Sequence, residues 1–312
     1  MLLLFSVLSF ILAYILRDAV VPHPAPPTMR RANVSVVTQM TSTKLADLAP
    51  YTEFARAAYC SPTIVTGWHC GQACEAVPSF NVSLTGGDAN RIQYYYVGYW
   101  PTENSVVVAH QGTDPFKLLS DLTDANVPKK PLSVTLFPGV DSSVEVHSGF
   151  ADEHALTASI ILNEVKSLIS QYNARSVTLV GHSLGGALAE LDCVFMALNL
   201  PSNIAIKGVT YGTPRVGNPA WAALFDSLIS DFRRVNNKKD IVPIIPGREM
   251  GFSHVGGEVH IISFGNAVEC PGDDDATDAH CTIMSVPNIL EGDILDHMGP
   301  YQGIHIGTIY CT

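Results

Sequence analysis

The sequence predicts an α/β fold in which a mostly parallel central sheet carries helices on both faces. Short β-branched and aromatic runs alternate with longer segments of helical periodicity between about residues 92 and 236. That alternation marks strand–helix–strand units. Some of the strand-like runs are apolar at every position, as expected of strands covered on both sides. A tight Gly-x-Ser-x-Gly turn, Gly181 to Gly185, falls at one strand-to-helix junction.

The elements follow in order along the chain. Thr43 to Tyr59 reads as a helix with Leu45, Leu48, Phe54 and Ala58 on one side, and Pro50 belongs in its first turn or kinks it. Residues 60–90 read as loop-rich. Ile92–Trp100 and Ser105–His110 are aromatic and β-branched, which predicts strands. Ala151–Tyr172 is predicted helical, because Leu156, Ile160, Leu168, Ile169 and Tyr172 recur at helical spacing. Ser176–Val180 is a further buried strand. Leu184, Leu188, Leu191, Phe195 and Leu198 then mark one face of a helix that begins just after Ser183, and Ala187, Ala189 and Ala197 on the other side mean that it packs all round. Lys207–Tyr211 and Phe232–Asn236 read as strands flanking a helix near Pro219–Ile229.

Composition sets bounds on function. With 312 residues, 47% hydrophobic and 15% charged, the chain has material for one large domain with a deep core. A formal charge of −11 is repelled by nucleic acid and by anionic membranes, so no nucleic-acid partner is expected. Residues 2–16 are nearly all apolar, too short for a span of about 20 residues, and a secretory signal over 1–19 is expected, with a signal anchor as its rival. The Pro-rich residues 20–40 read as linker or propeptide, leaving 41–312 as a single catalytic domain, expected to be a monomer. Seven cysteines, and sequons at Asn33 and Asn81, fit an extracellular location.

Gly181-His182-Ser183-Leu184-Gly185-Gly186 carries the chemistry. A serine on a sharp strand-to-helix turn has its hydroxyl pushed out of the sheet, and glycines two residues either side relieve collisions across the turn. Unaided serine is a weak nucleophile and needs a base and an orienting acid. In the α/β-hydrolase fold these follow in the order acid, then His. Asp240 fits the acid, just past the strand Phe232–Asn236; Asp226 and Asp231 flank predicted elements and read as solvated. By order, His254, His260, His280, His297 and His305 all qualify as base. His260 lies in a predicted strand and His280 in an acidic loop, and composition does not choose among His254, His297 and His305. Asp273–Asp275 with Asp278 lack calcium-ligand spacing and read as a solvated loop, so no metal or cofactor is expected.

Several motifs together resemble the fungal class 3 lipases, a family of filamentous-fungal triacylglycerol lipases and feruloyl esterases. They are GHSLGG, VHSGF at 146–150, TYGTPRVGNPAWA at 210–222, the segment Asn237 to Pro243, and Asp296-His297 with Tyr301 just beyond. The resemblance runs from about Thr43 to the C-terminus. It implies Ser183, Asp240 and His297 as the catalytic triad. It also implies an oxyanion hole from the backbone N–H groups of Leu184 and of Thr113, the latter in His110-Gln111-Gly112-Thr113-Asp114, where Gln111 replaces the family's usual arginine.

The segment 114–122 occupies the family's lid position, with Phe116, Leu118, Leu119 and Leu122 as its apolar residues. Disulfides Cys60–Cys311, Cys70–Cys74 and Cys270–Cys281 are likewise implied by the resemblance, with Cys193 left as a buried thiol. The expected function is a secreted serine lipase acting on acylglycerol esters at an oil–water interface, without a stable membrane span. A feruloyl or other soluble carboxylesterase is the alternative within catalysis, and a non-catalytic lipid-binding protein is the alternative outside it.

Overall fold

The computed structural model describes residues 36–123, 127–274 and 277–311. The expected signal (1–19), the expected linker up to residue 35, and Asn33 lie outside the described residues. Eleven strands are present among them: β1 (Thr38–Gln39), β2 (Asn81–Gly86), β3 (Tyr95–Trp100), β4 (Ser105–His110), β5 (Lys129–Pro131), β6 (Glu145–His147), β7 (Ser176–His182), β8 (Ala205–Tyr211), β9 (Asp231–Asn237), β10 (Glu258–Ser263) and β11 (Asn266–Glu269). The helices are α1 (Ser42–Ala46), α2 (Ala49–Ala57), α3 (Pro62–Val65), α4 (Gln72–Ala76), α5 (Pro115–Thr123), α6 (Ser148–Tyr172), α7 (Leu184–Asn199), α8 (Pro219–Leu228) and α9 (Thr282–Ser285).

Nine strands form one sheet in the order β1-β11-β10-β9-β8-β7-β4-β3-β2. The run β4-β7-β8-β9-β10 is parallel throughout, and antiparallel strands close both edges. Strand alternation divides the core in two. Val106 and Val108 face a cluster built with α6, α7 and α8, whereas Val107 and Ala109 face a cluster built with α2 and its disulfide-linked loop. Sheets covered on both faces need apolar residues at every position, which is why β4 and most of β7 are buried along their length. Three disulfides, Cys60–Cys311, Cys70–Cys74 and Cys270–Cys281, tie the periphery, and Cys193 is free and buried in α7.

Several expectations are corrected. The helix predicted over 43–59 is two helices, broken at Asp47-Leu48, because Pro50 cannot supply an N–H to a continuous helix and instead sits in the first turn of α2. The expected linker ends before residue 38: Thr38 and Gln39 pair with Glu269 and Val268, and Met40 is buried. Residues 81–86, read as loop, form the edge strand β2, whose polar sequence reflects its half-exposed position. The acidic loop is not wholly solvated, since the Asp274 side chain is only 10% exposed and takes two hydrogen bonds from Arg215 and one from the His254 amide. Burial alone would raise its pKa, but His254 and Arg215 hold the carboxylate below the usual range.

Candidate active site

Ser183 lies between the end of β7 and the start of α7, at φ 61° and ψ −130°. Few residues other than glycine accept such a φ, and this one is stabilised by its surroundings: the Ser183 amide donates to Tyr211 O at 2.9 Å, and Ser183 O accepts from Gly186 N at 2.9 Å. The turn leaves no room for side chains at its flanks. A Cβ on Gly181 would lie 2.0 Å from Gly185 O, and one on Gly185 would lie 2.2 Å from His110 O. Ser183 is fully buried, and its Oγ has no hydrogen-bond partner among the described residues.

Asp240 and His297 meet beside this turn. His297 Nδ1 is 2.9 Å from Asp240 Oδ2, and both side chains are 1% exposed. Asp240 Oδ1 accepts from the Val242 amide at 2.9 Å, which fixes the carboxylate. A carboxylate accepts, so Nδ1 carries the hydrogen and the Nε2 lone pair is left for another group. Nε2 has no partner among the described residues. Gly212, at φ +53°, gives the pair its space: a Cβ there would lie 2.7 Å from His297 Nδ1 and 2.8 Å from Asp240 Oδ2.

His182 connects the turn to His297. Its Nε2 donates to His297 O at 2.8 Å, and the two rings lie 4.4 Å apart. Burial drives the His182 pKa well below its ordinary value, so the ring is neutral. With Nε2 as donor to a carbonyl, Nδ1 must be the acceptor, and the Tyr59 hydroxyl donates to it at 2.6 Å. Tyr301 donates to the same His297 carbonyl at 2.9 Å. Tyr59 and the links of His182 went unread in the sequence. A buried His next to the nucleophile was the one available signal.

The other histidines are engaged elsewhere. His254 Nε2 sits 2.6 Å from Pro243 O, both ring nitrogens of His260 lie against carbonyls, His280 pairs with Asp278, and His305 stacks on Tyr310. His147 caps α6 by accepting the Phe150 amide at 3.2 Å, which requires an unprotonated Nδ1. Burial, opposed by Asp121, lowers its pKa to about 4 and keeps it so.

Leu184 follows Ser183 directly, and the loop that carries Thr113 meets the turn at Gly112. Leu184 opens α7, where the first amides have no partner within the helix. The loop carrying Thr113 follows β4, and Gly112 presses close to the turn, since a Cβ on it would lie 2.8 Å from Ser183 Cβ. Gln111 anchors this loop in place of an arginine. Its amide donates to Tyr94 O at 2.8 Å, and its Oε1 accepts the Tyr94 amide at 2.9 Å. Next along the chain is α5. Asp114 Oδ1 caps it through Phe116 N and Lys117 N. Leu118 and Leu122 are buried beneath it, Leu119 is partly buried, and Phe116 faces outward at 62% exposure.

A serine on a strained turn, with an imidazole held by a buried carboxylate beside it, is the set of groups that nucleophilic acyl transfer uses. Comparison with known proteins places it. Residues 107–250 match the family described as Lipase (class 3). The lipase of Rhizomucor miehei is 29% identical over 282 residues, 87% of this chain and 72% of that one. A secreted mono- and diacylglycerol lipase of Malassezia globosa is 30% identical over 208 residues, 65% of this chain and 66% of that one. Among solved structures, a triacylglycerol lipase described as having a serine protease triad for its catalytic centre superposes with a TM-score of 0.75 at 28% identity, covering 89% of this chain and all of that one. The chain therefore belongs to the fungal class 3 lipase family, serine hydrolases of carboxylic esters with the α/β-hydrolase fold.

Proposed function

We propose that this protein is a secreted lipase that hydrolyses acylglycerol esters at an oil–water interface through an acyl-enzyme on Ser183. The observation that carries the reading is the buried Asp240–His297 pair, 2.9 Å apart, beside a strained serine whose hydroxyl is not committed to another group among the described residues. In the first half-reaction His297 Nε2 takes the Ser183 proton as Oγ bonds to the ester carbonyl carbon. The N–H groups of Thr113 and Leu184, with the Thr113 hydroxyl beside them, hold the resulting oxyanion. The carbon–oxygen bond to glycerol then breaks, and His297 returns the proton to the departing alcohol. Water repeats the sequence on the acyl-enzyme, releases a fatty acid and restores Ser183.

A lipid substrate is supported by the apolar character of the surface near the site. We read α5 as a lid whose buried Leu118 and Leu122 become available to lipid when it lifts. Leu122 and Thr123 line a cleft of about 340 Å³ in which apolar Ile283, Val286 and Ile289 stand beside polar Arg215, Arg248 and Glu249, and the segment leading to His297 exposes Leu290 and Leu295. No helix among the described residues is long and apolar enough to cross a membrane. Three disulfides and an exposed sequon at Asn81 support export, with glycosylation at Asn81 and Asn33 and removal of residues 1–19 as parts of the same proposal.

Rates measured across the solubility limit of a short-chain triacylglycerol test the lid. The expected result is a sharp rise, tenfold or so, once droplets form. Simple saturation below that limit, with no rise above it, would leave a soluble carboxylesterase, and aryl or feruloyl esters would become the substrates to try.

A further inference from the structure

A buried polar cluster lies behind the oxyanion loop. His110 Nε2 is 2.7 Å from Asp192 Oδ2, and His154 Nε2 is 2.9 Å from Asp192 Oδ1. All three residues are 2% exposed or less. Burial would raise the Asp192 pKa, but the two imidazole hydrogen bonds and charges outweigh it and hold the carboxylate at about 2. Asp192 is therefore an anion that only accepts, and both histidines donate to it from Nε2. The three side chains come from the last residue of β4, from α6 and from α7.

Apolar side chains would fill this space without the cost of burying a charge. What the charge adds is a fixed direction between elements. His110 immediately precedes Gln111-Gly112-Thr113, so its position sets where Thr113 begins. Asp192 lies eight residues beyond Leu184, about 12 Å along the same helix. The first turn of α7 also rests on the backbone of residues 110 and 111, which is the reason Gly185 has no space for a Cβ.

We propose that the His110–Asp192 hydrogen bond, braced by His154, is a positioning device for the oxyanion hole. It pins the end of β4, which leads to the Thr113 donor, to α7, which carries the Leu184 donor, and so fixes the spacing between the two. This rests on the oxyanion assignment above. Donors set at the wrong spacing weaken the transition state more than the bound substrate, so the effect belongs in kcat.

The test measures kcat, KM and melting temperature on a dissolved short-chain ester for five variants of the full chain. His110→Leu fills the space without a donor and should lower kcat about 30-fold or more with KM within about twofold. His110→Gln keeps a donor of similar reach and should recover kcat to within about fivefold of wild type. Val165→Ala, a cavity in the same core three turns further along α6, should lower the melting temperature with kcat unchanged. Thr113→Val should lower kcat, and paired with His110→Leu it should cost less than the product of the two single effects.

If His110→Leu does not fold, Asp192→Asn carries the same comparison. A full kcat in His110→Leu, independent multiplication with Thr113→Val, or an equal kcat loss in Val165→Ala would overturn the positioning role. If Thr113→Pro, which removes the backbone N–H itself, keeps full kcat while Ser183→Ala is inactive, the oxyanion assignment falls and the positioning role falls with it.

Discussion

Asp240 holds His297 by one hydrogen bond, and that bond selects the tautomer with a free Nε2 lone pair. Asp240→Asn keeps the shape but can donate to Nδ1, which would place the imidazole hydrogen on Nε2, where it is useless for taking a proton. The expected outcome is a loss of kcat of about 10³–10⁴ with little change in melting temperature, read by steady-state kinetics and thermal unfolding. A loss below about tenfold would remove Asp240 from its proposed role. Ser183 and Asp240 were legible as candidates because both are local: one in a tight glycine turn, the other just past a strand. The base was not, since five histidines satisfy the chain order, and the choice of His297 came from a resembling motif. The contacts of His182 with Tyr59 and His297 span 123 and 115 residues. No local periodicity carries such information. Asp192 offered a faint signal as an acid within a helix apolar on every side, where only a partnered charge is tolerable.

Among the elements, the parallel strands and the helices between them were the clearest in the sequence. β4 stands at the predicted residues, and α7 begins where its apolar spacing begins. The edges were harder. β2 pairs on one side only and is half-exposed, so its Asn, Ser and Thr carry little strand signal, and β1 has only two residues. The turn after β8 is where an element controls chemistry. Gly212 stands against both Asp240 and His297, and its left-handed φ of +53° adds a backbone penalty for any side chain. Gly212→Ala should therefore spread the acid–base pair and reduce kcat by about 10² or more, while substrate KM changes little. Unaltered kinetics in this variant would mean that the pair tolerates displacement and that its spacing is not decisive.

At the scale of the whole molecule, ionisable groups are buried between the sheet and its helices as well as at the site. Glu190 in α7 accepts the Trp221 indole N–H at 2.7 Å, and burial pushes its pKa up to about 8. In the unfolded chain this carboxyl ionises near its ordinary 4.5, so the folded state binds more protons between those values. Stability from this group is thus full below about pH 4.5, falls as pH rises towards 8, and is level beyond. Glu190→Gln keeps the acceptor for Trp221 and removes the titration. Its advantage over wild type in urea unfolding should grow to a few kcal/mol between pH 4.5 and 8. Parallel stability curves would show that Glu190 is not the buried acid described. The Cys60–Cys311 bridge, with a sequence separation of 251, ties the chain just after α2 to the segment that follows His297. The most direct test of the central claim is fatty-acid release from emulsified tri-, di- and monoacylglycerols by the purified protein, with Ser183→Ala measured alongside. Release that disappears in Ser183→Ala is the predicted result, whichever glyceride is preferred. Release that persists in the variant, or none from any glyceride by the wild type, would contradict it.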